Sequence, residues 1–248
     1  MGQKRVALIT GGLGGLGRKI CENFLSQGVI VVAAYYRGDQ QHVKSWIDEI
    51  KERKLPLHTA NVDVRSFESC KKMVDHVHRE VGKVDILINN AGITADAQMK
   101  NMTPEMWGDV IDTNLSSVFN VTRNVIGDMI ENKYGRIVNV SSINALKGQF
   151  GQTNYSAAKA GMHGFTKSLA QEVIKYGITV NTISPGYFES DMTKKIPEDI
   201  MQKIIANIPA GRLGKPEEIA RVIAFLADEA SSYITGANIS INGGQYMY

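Results

Sequence analysis

The sequence predicts an α/β fold: one domain on a seven-stranded parallel sheet, wound in both directions and covered by helices on both faces. Three observations predict it. Short apolar runs alternate along the chain with longer stretches of helical period, no repeat or Pro/Gly-rich linker divides the chain, and a glycine-rich turn joins the first run to the first helical stretch. Such alternation is what βαβ units produce, because each parallel strand needs a crossover that buries its own apolar stripe on the sheet.

The strand-like runs are 5–10, 29–35, 57–61, 84–89, 135–141, 178–184 and 238–241. Between them, Ile20, Phe24 and Leu25 mark one core-facing helix, and Met73, Val74, Val77 and Val81 mark another at i, i+3, i+4 spacing. The stretch 103–132 places Val110, Ile111, Leu115, Val118, Phe119, Val121 and Val125 around more than one face, so it reads as one long helix, deeply buried or shared with a partner subunit. The segment 186–211, with Pro197 and Pro209 between polar helical pieces, is the one long insertion before the last strand and is expected to form a mobile lid over a substrate.

Composition narrows the function classes. At 248 residues, with 43% apolar and 21% charged residues, the chain has the usage of a soluble globular domain. A formal charge of +3, with 28 basic residues scattered among 25 acidic ones, leaves no footprint for nucleic acid but suits a small anionic substrate. The longest apolar runs, such as 29–34 and 86–88, are too short to span a bilayer, and the N-terminus lacks the pattern of a secretory signal, so no membrane association and a cytoplasmic location are expected. Cys21 and Cys70 have no metal-ligand or redox spacing and read as buried free thiols. His76 and His78 point to different faces of a helix and read as solvated; no metal site is expected.

After the first run come Gly11, Gly12, Leu13, Gly14, Gly15, Leu16 and Gly17, then a helix opening with Arg18 and Lys19. Glycines permit a tight turn and close backbone approach, and the N–H groups at the helix start then face the pyrophosphate of a dinucleotide. The spacing T-G-x-x-x-G-x-G, followed by Asn89-Asn90-Ala91-Gly92, Asn114, Ser142, Tyr155-x-x-x-Lys159 and Ser184-Pro185-Gly186 in that order, resembles the short-chain dehydrogenase/reductase family, classical type, from end to end. The resemblance implies a Rossmann-type fold, a nicotinamide cofactor and a homotetramer through the helices at 103–132 and 157–176. It also places Asp63 and Val64 at the adenine, Asn90, Ala91 and Gly92 along the adjoining ribose, and Pro185 and Gly186 at the cofactor. Asp63 is alternatively a helix N-cap.

In dinucleotide folds an acid ending the second strand binds the ribose 2′-hydroxyl, whereas a basic residue there accommodates a 2′-phosphate. That strand ends in Tyr35-Tyr36-Arg37, and Asp39 follows only after Gly38. Arg37 therefore points to NADP(H), with Asp39 at the ribose as the rival reading.

Tyr155 and Lys159 lie one turn apart on a helix face. A phenol with an ordinary pKa of about 10 needs help as an acid-base group at neutral pH, and the ammonium of Lys159 with the oxidised nicotinamide is expected to lower it. Tyr155 then donates a proton to a ketone oxygen as hydride reaches the carbon, and Ser142 stabilises the developing charge on that oxygen. By resemblance, Asn114 holds a water linking Lys159 to solvent; otherwise it is an amide capping a helix kink.

The run 147–155 and the end Asn242-Gly243-Gly244-Gln245-Tyr246 look most like the acetoacetyl-CoA reductases of polyhydroxyalkanoate synthesis, and more loosely like the 3-oxoacyl-acyl-carrier-protein reductases. An acyl thioester substrate follows from that likeness. Gln149 and Gln152 are its expected amide partners, Tyr187 closes over the acyl chain, and Asp96 lies near the pocket. A sugar or steroid alcohol substrate, and a cofactor-binding sensor without turnover, are the alternatives from other classes.

Overall fold

The computed structural model describes residues 4–36, 40–190 and 193–247. Seven strands, β1 (Val6–Thr10), β2 (Ile30–Tyr35), β3 (Leu57–Asn61), β4 (Ile86–Asn89), β5 (Gly135–Val140), β6 (Ile178–Pro185) and β7 (Asn238–Ile241), form one wholly parallel sheet in the order β3-β2-β1-β4-β5-β6-β7. Every residue of β1, β4, β5 and β6 is buried, which is why these strands read as near-continuous apolar runs rather than alternating ones. The edge strands β3 and β7 are more open.

Strand order reverses between β1 and β4, so the crossover that leaves β1 and the one that enters β4 lie on opposite faces and open a crevice at the carboxyl ends of these strands. On one face, Ile20, Phe24 and Leu25 of α1 (Gly15–Ser26), Ile50 of α2 (Gln40–Glu52), and Ile219 and Ile223 of α9 (Pro216–Ala227) pack on Ile9, Val31, Ile88 and Val138. On the other, Met73, Val74 and Val77 of α3 (Phe67–Glu80) pack with side chains of α5 (Ser117–Asn132) and α7 (Thr153–Val173) on Leu8, Val32, Leu87 and Ile137. Odd positions of β1 thus face one layer and even positions the other, as a pleated strand requires. Each fully buried Ile, Leu, Val or Met here contributes roughly 1.5–3 kcal/mol by leaving water.

The stretch 103–132 is not one helix. Thr103 caps α4 (Pro104–Ile111), its hydroxyl accepting from the Met106 N–H at 3.1 Å, and a π-helical turn at Asp112–Ser116 separates α4 from α5. The apolar residues divide accordingly. Val110, Val118, Val121 and Val125 are buried, while Phe119 is 53% exposed and stacks on Phe67 of α3 at 6.1 Å between ring centres.

Two smaller expectations also change. Ser66, not Asp63, caps α3, because its hydroxyl receives the Ser69 N–H. His78 is not simply solvated: its Nε2 lies 3.0 Å from an Asp128 carboxylate that also pairs with Lys83, because α3 packs beside α5. Cys21 and Cys70 are buried free thiols. No helix among the described residues is long and apolar enough to cross a membrane, and no cluster of three His, Cys, Asp or Glu side chains converges there.

Candidate active site

A cleft of about 820 Å³ runs across the carboxyl ends of β1, β4, β5 and β6. Its floor at β1 is the glycine turn. Gly11 adopts φ +62°, a conformation L side chains rarely take. A Cβ on Gly12 would lie 2.8 Å from Ala33 of β2, and one on Gly17 would run into the Gly11 carbonyl, so α1 starts hard against the strand end only because these positions lack side chains. Gly11, Leu13, Gly14, Gly15, Leu16 and Gly17 line the cleft, and Gly12 packs behind it. The first N–H groups of α1 have no intrahelical partner there, as at any helix start.

The turn after β4 is tied to the same place. Thr10 Oγ1 accepts from the N–H groups of Asn90 (2.9 Å) and Ala91 (3.0 Å), and Asn90 Nδ2 donates to the Thr10 carbonyl at 3.0 Å. Asn90, Ala91 and Gly92 all line the cleft, as do Tyr35 and Tyr36 from the end of β2. Arg37 and Asp39 lie outside the described residues. Asp63 and Val64 are not brought to the cleft wall: the Asp63 carboxylate accepts from Arg65 Nε (3.0 Å) and Nη2 (2.9 Å), and Val64 is buried in the core.

Beyond β5, Ser142 meets Tyr155 of α7. The Ser142 hydroxyl is near enough to the phenol to favour its charged form, and it accepts from the Asn144 N–H at 3.1 Å. Lys159, one turn along α7, is buried; its Nζ donates to the Val140 carbonyl at 2.8 Å and lies 5.6 Å from the Tyr155 ring centre. Asn114 sits in the π-helical turn, where its Nδ2 donates to the carbonyls of Val110 (2.8 Å) and Ile93 (2.9 Å). Its Oδ1 is buried without a partner. Gly92 is the wedge between these groups, for a Cβ there would lie 2.6 Å from Asn114 Oδ1 and 3.4 Å from Lys159 Nζ.

The electrostatics differ from the expectation for the phenol. Burial raises the Tyr155 pKa above its ordinary value, with the nearby Ser142 hydroxyl pulling the other way, and burial pushes Lys159 down to about 7. Desolvation disfavours both charged forms, so neither group ionises the other. Tyr155 there is a neutral phenol with a proton to give.

On the far side Asp96, Gln152, Tyr187, Pro185 and Gly186 line the cleft. A relay of amides joins them to the serine: Asn144 Nδ2 donates to Gln152 Oε1, and Gln152 Nε2 donates to Asp96, both at 2.9 Å. A carboxylate only accepts, so Asp96 dictates which way both amides face. Gln149 does not join them, because its Oε1 receives Lys147 Nζ at 2.8 Å outside the cleft. Sequence reasoning missed Asn144 and Arg18, which line the cleft, and Asn154, which ties α7 to the carbonyls of Ala95 (3.0 Å) and Met106 (3.1 Å). Only adjacency to Ser142, to Gly17 and to Tyr155 could have marked them.

A doubly wound parallel sheet whose switch point carries a glycine turn beside a serine, tyrosine and lysine cluster defines a nucleotide-dependent oxidoreductase of the Rossmann type. Residues 5–201 match the family model described as short chain dehydrogenase, and the chain belongs to that family. It is 50% identical over 244 residues to an acetoacetyl-CoA reductase of Cupriavidus necator, covering 98% of this chain and 99% of the relative. Similarity extends to an acetoacetyl-CoA reductase of Rhizobium meliloti (50% over 244 residues, again 98% and 99%). A 3-oxoacyl-acyl-carrier-protein reductase of Vibrio harveyi is 42% identical over 244 residues, 98% of each chain.

Proposed function

We propose that the protein is an NADP(H)-dependent reductase of 3-oxoacyl thioesters, with acetoacetyl-CoA, reduced to 3-hydroxybutyryl-CoA, as its favoured substrate. The observation that carries this reading is the Tyr155 phenol, kept neutral by burial and lining the same cleft as Ser142 and Lys159, whose other end is a side-chain-free glycine turn. The likeness to acetoacetyl-CoA reductases over nearly the whole chain supports the choice of thioester.

The residues fit a dinucleotide. Gly12 and Gly17 leave no room for a Cβ, so the backbone itself forms the cradle for a pyrophosphate at the start of α1. Gly11, Leu13, Gly14, Gly15, Leu16 and Gly17 hold it, with Asn90, Ala91, Gly92, Pro185 and Gly186 along its length and Arg37 at a 2′-phosphate. When bound, the nicotinamide supplies hydride to the keto carbon. Tyr155 donates its phenolic proton to the keto oxygen, and Ser142 donates a hydrogen bond to that oxygen as charge develops on it. Lys159, poised near neutrality, returns a proton towards the phenolate, and the orphaned Asn114 Oδ1 is a built acceptor for a water that completes the path to solvent. Asp96, Gln152 and Tyr187 are the proposed acyl-side contacts.

The likeness to an acyl-carrier-protein thioester reductase supports that thioester as the second reading. Steady-state comparison of acetoacetyl-CoA with an acetoacetyl thioester of acyl carrier protein separates the two: kcat/KM is expected to favour the CoA thioester, and the reverse preference overturns the choice. Absence of activity on either thioester with NADPH removes the reading altogether. We also propose that 186–211, whose Tyr187, Ser190 and Ile196 line the cleft, serves as the substrate lid, and that the protein works as a cytoplasmic homotetramer.

A further inference from the structure

One imidazole behind the cleft sits on one of the segments that build it and touches two others. His163 lies on α7 one turn beyond Lys159 and two beyond Tyr155. Its Nε2 is 3.0 Å from Ser141 Oγ and 3.4 Å from Ser184 Oγ. Ser141 immediately precedes Ser142 at the end of β5, and Ser184 immediately precedes the Pro185-Gly186 turn at the end of β6.

Proton accounting assigns the direction of these contacts. A serine hydroxyl has one hydrogen. Ser141 spends its own on the Lys159 carbonyl at 2.9 Å, and Ser184 spends its own on Asn238 Oδ1 of β7 at 2.8 Å. Both oxygens therefore present only lone pairs to His163, so Nε2 must carry a proton and donate to both. Both serines are buried, where an unpaired polar atom is costly. Burial, reinforced by Lys167 one turn on, depresses the His163 pKa, which makes the neutral Nε2–H tautomer the working form.

We infer that His163 is a positioning residue, latching the helix that carries Tyr155 and Lys159 to the strand ends that carry Ser142 and Pro185-Gly186. The inference rests on the proposed roles of Tyr155, Ser142 and Lys159. The Asn139–Thr166–Thr182 hydrogen bonds one turn further along α7 also hold helix to sheet, but they end on strand interiors and not on the residues flanking the cleft.

The test uses the full-length protein and two kinds of measurement. In the unliganded protein, nitrogen-15 NMR of labelled histidine is expected to find His163 protonated at Nε2 at neutral pH; a bare Nε2 overturns the latch. In turnover, His163→Leu removes the donor, whereas the side-chain amide nitrogen of His163→Gln reaches the position of Nε2. His163→Leu is expected to lower kcat at least tenfold while KM for acetoacetyl-CoA and the Kd of NADPH stay within threefold, and His163→Gln is expected to recover kcat to within threefold of wild type. A role in stability alone would lower Tm without that split, so a leucine variant with kcat within threefold of wild type overturns the inference. Equal impairment of both variants overturns it as well. Should His163→Leu not fold, His163→Asn, whose amide is too short, replaces it with the same criteria. Tyr155→Phe is assayed in parallel: turnover retained there defeats the catalytic reading itself, whereas its loss beside an unimpaired His163→Leu defeats only the latch.

Discussion

At Lys159, burial acts alone on the charge. Among the described residues no carboxylate pairs with this side chain, whose Nζ donates to the Val140 carbonyl, and its pKa falls to about 7. The unfolded chain keeps that proton up to about 10.4, so between pH 7 and 10 the unfolded state binds more protons and stability rises with pH. The unliganded protein is expected to gain about 1 kcal/mol per pH unit more than Lys159→Met between pH 8 and 9, measured by urea unfolding of both. Equal pH slopes would mean that Lys159 is charged in the folded state. Tyr155→Phe keeps the ring but removes the proton donor, so turnover should fall below about a tenth of wild type, a barrier increase above roughly 1.4 kcal/mol, while NADPH titration by fluorescence is nearly unchanged. Arg37 provides the third residue-level expectation. Loss of one charge-assisted contact costs about 1.5–3 kcal/mol, so Arg37→Ala should cut kcat/KM with NADPH by about 10- to 100-fold and leave NADH nearly unaffected. Better use of NADH by the unaltered protein would return the site to Asp39.

At the scale of elements, the π-helical turn between α4 and α5 is where fold and chemistry meet. One extra residue in the turn carries Asn114 inward, where its amide satisfies the carbonyls of Val110 and Ile93 and leaves Oδ1 beside Gly92. Asn114→Ala deletes two buried hydrogen bonds at about 1 kcal/mol each. A drop of roughly 4–8 °C in Tm is expected for a chain of this size, together with a loss of kcat. A Tm loss with kcat intact would make Asn114 a helix-kink amide alone. The turn was hidden in the sequence because Val110, Leu115, Val118 and Val121 satisfy a helical period closely enough on either side of it.

For the whole molecule, the parallel sheet explains why function gathers at one end. All seven strands point the same way, so the glycine turn, the Asn90–Gly92 turn, Ser142 and Pro185-Gly186 are successive carboxyl ends laid side by side. The stacked Phe67 and Phe119 leave an apolar patch open on α3 and α5. Sedimentation equilibrium is expected to return four times the chain mass, and Phe119→Glu to shift that towards smaller species; a wild-type monomer would defeat the tetramer.

The amino-acid order by itself determined the seven strands and their parallel class, the glycine turn, and the placing of Tyr155 and Lys159 on one helix face. These are written in neighbouring residues: a strand in its run of buried side chains, a turn in its glycines, a helix face in a spacing of four. Tertiary structure alone decided that Gln152 joins Asp96 and that His163 reaches two strand ends. Those outcomes depend on which side chains from distant parts of the chain arrive within about 3 Å of one another, and hydrogen bonds of that length are selected by packing rather than by local period.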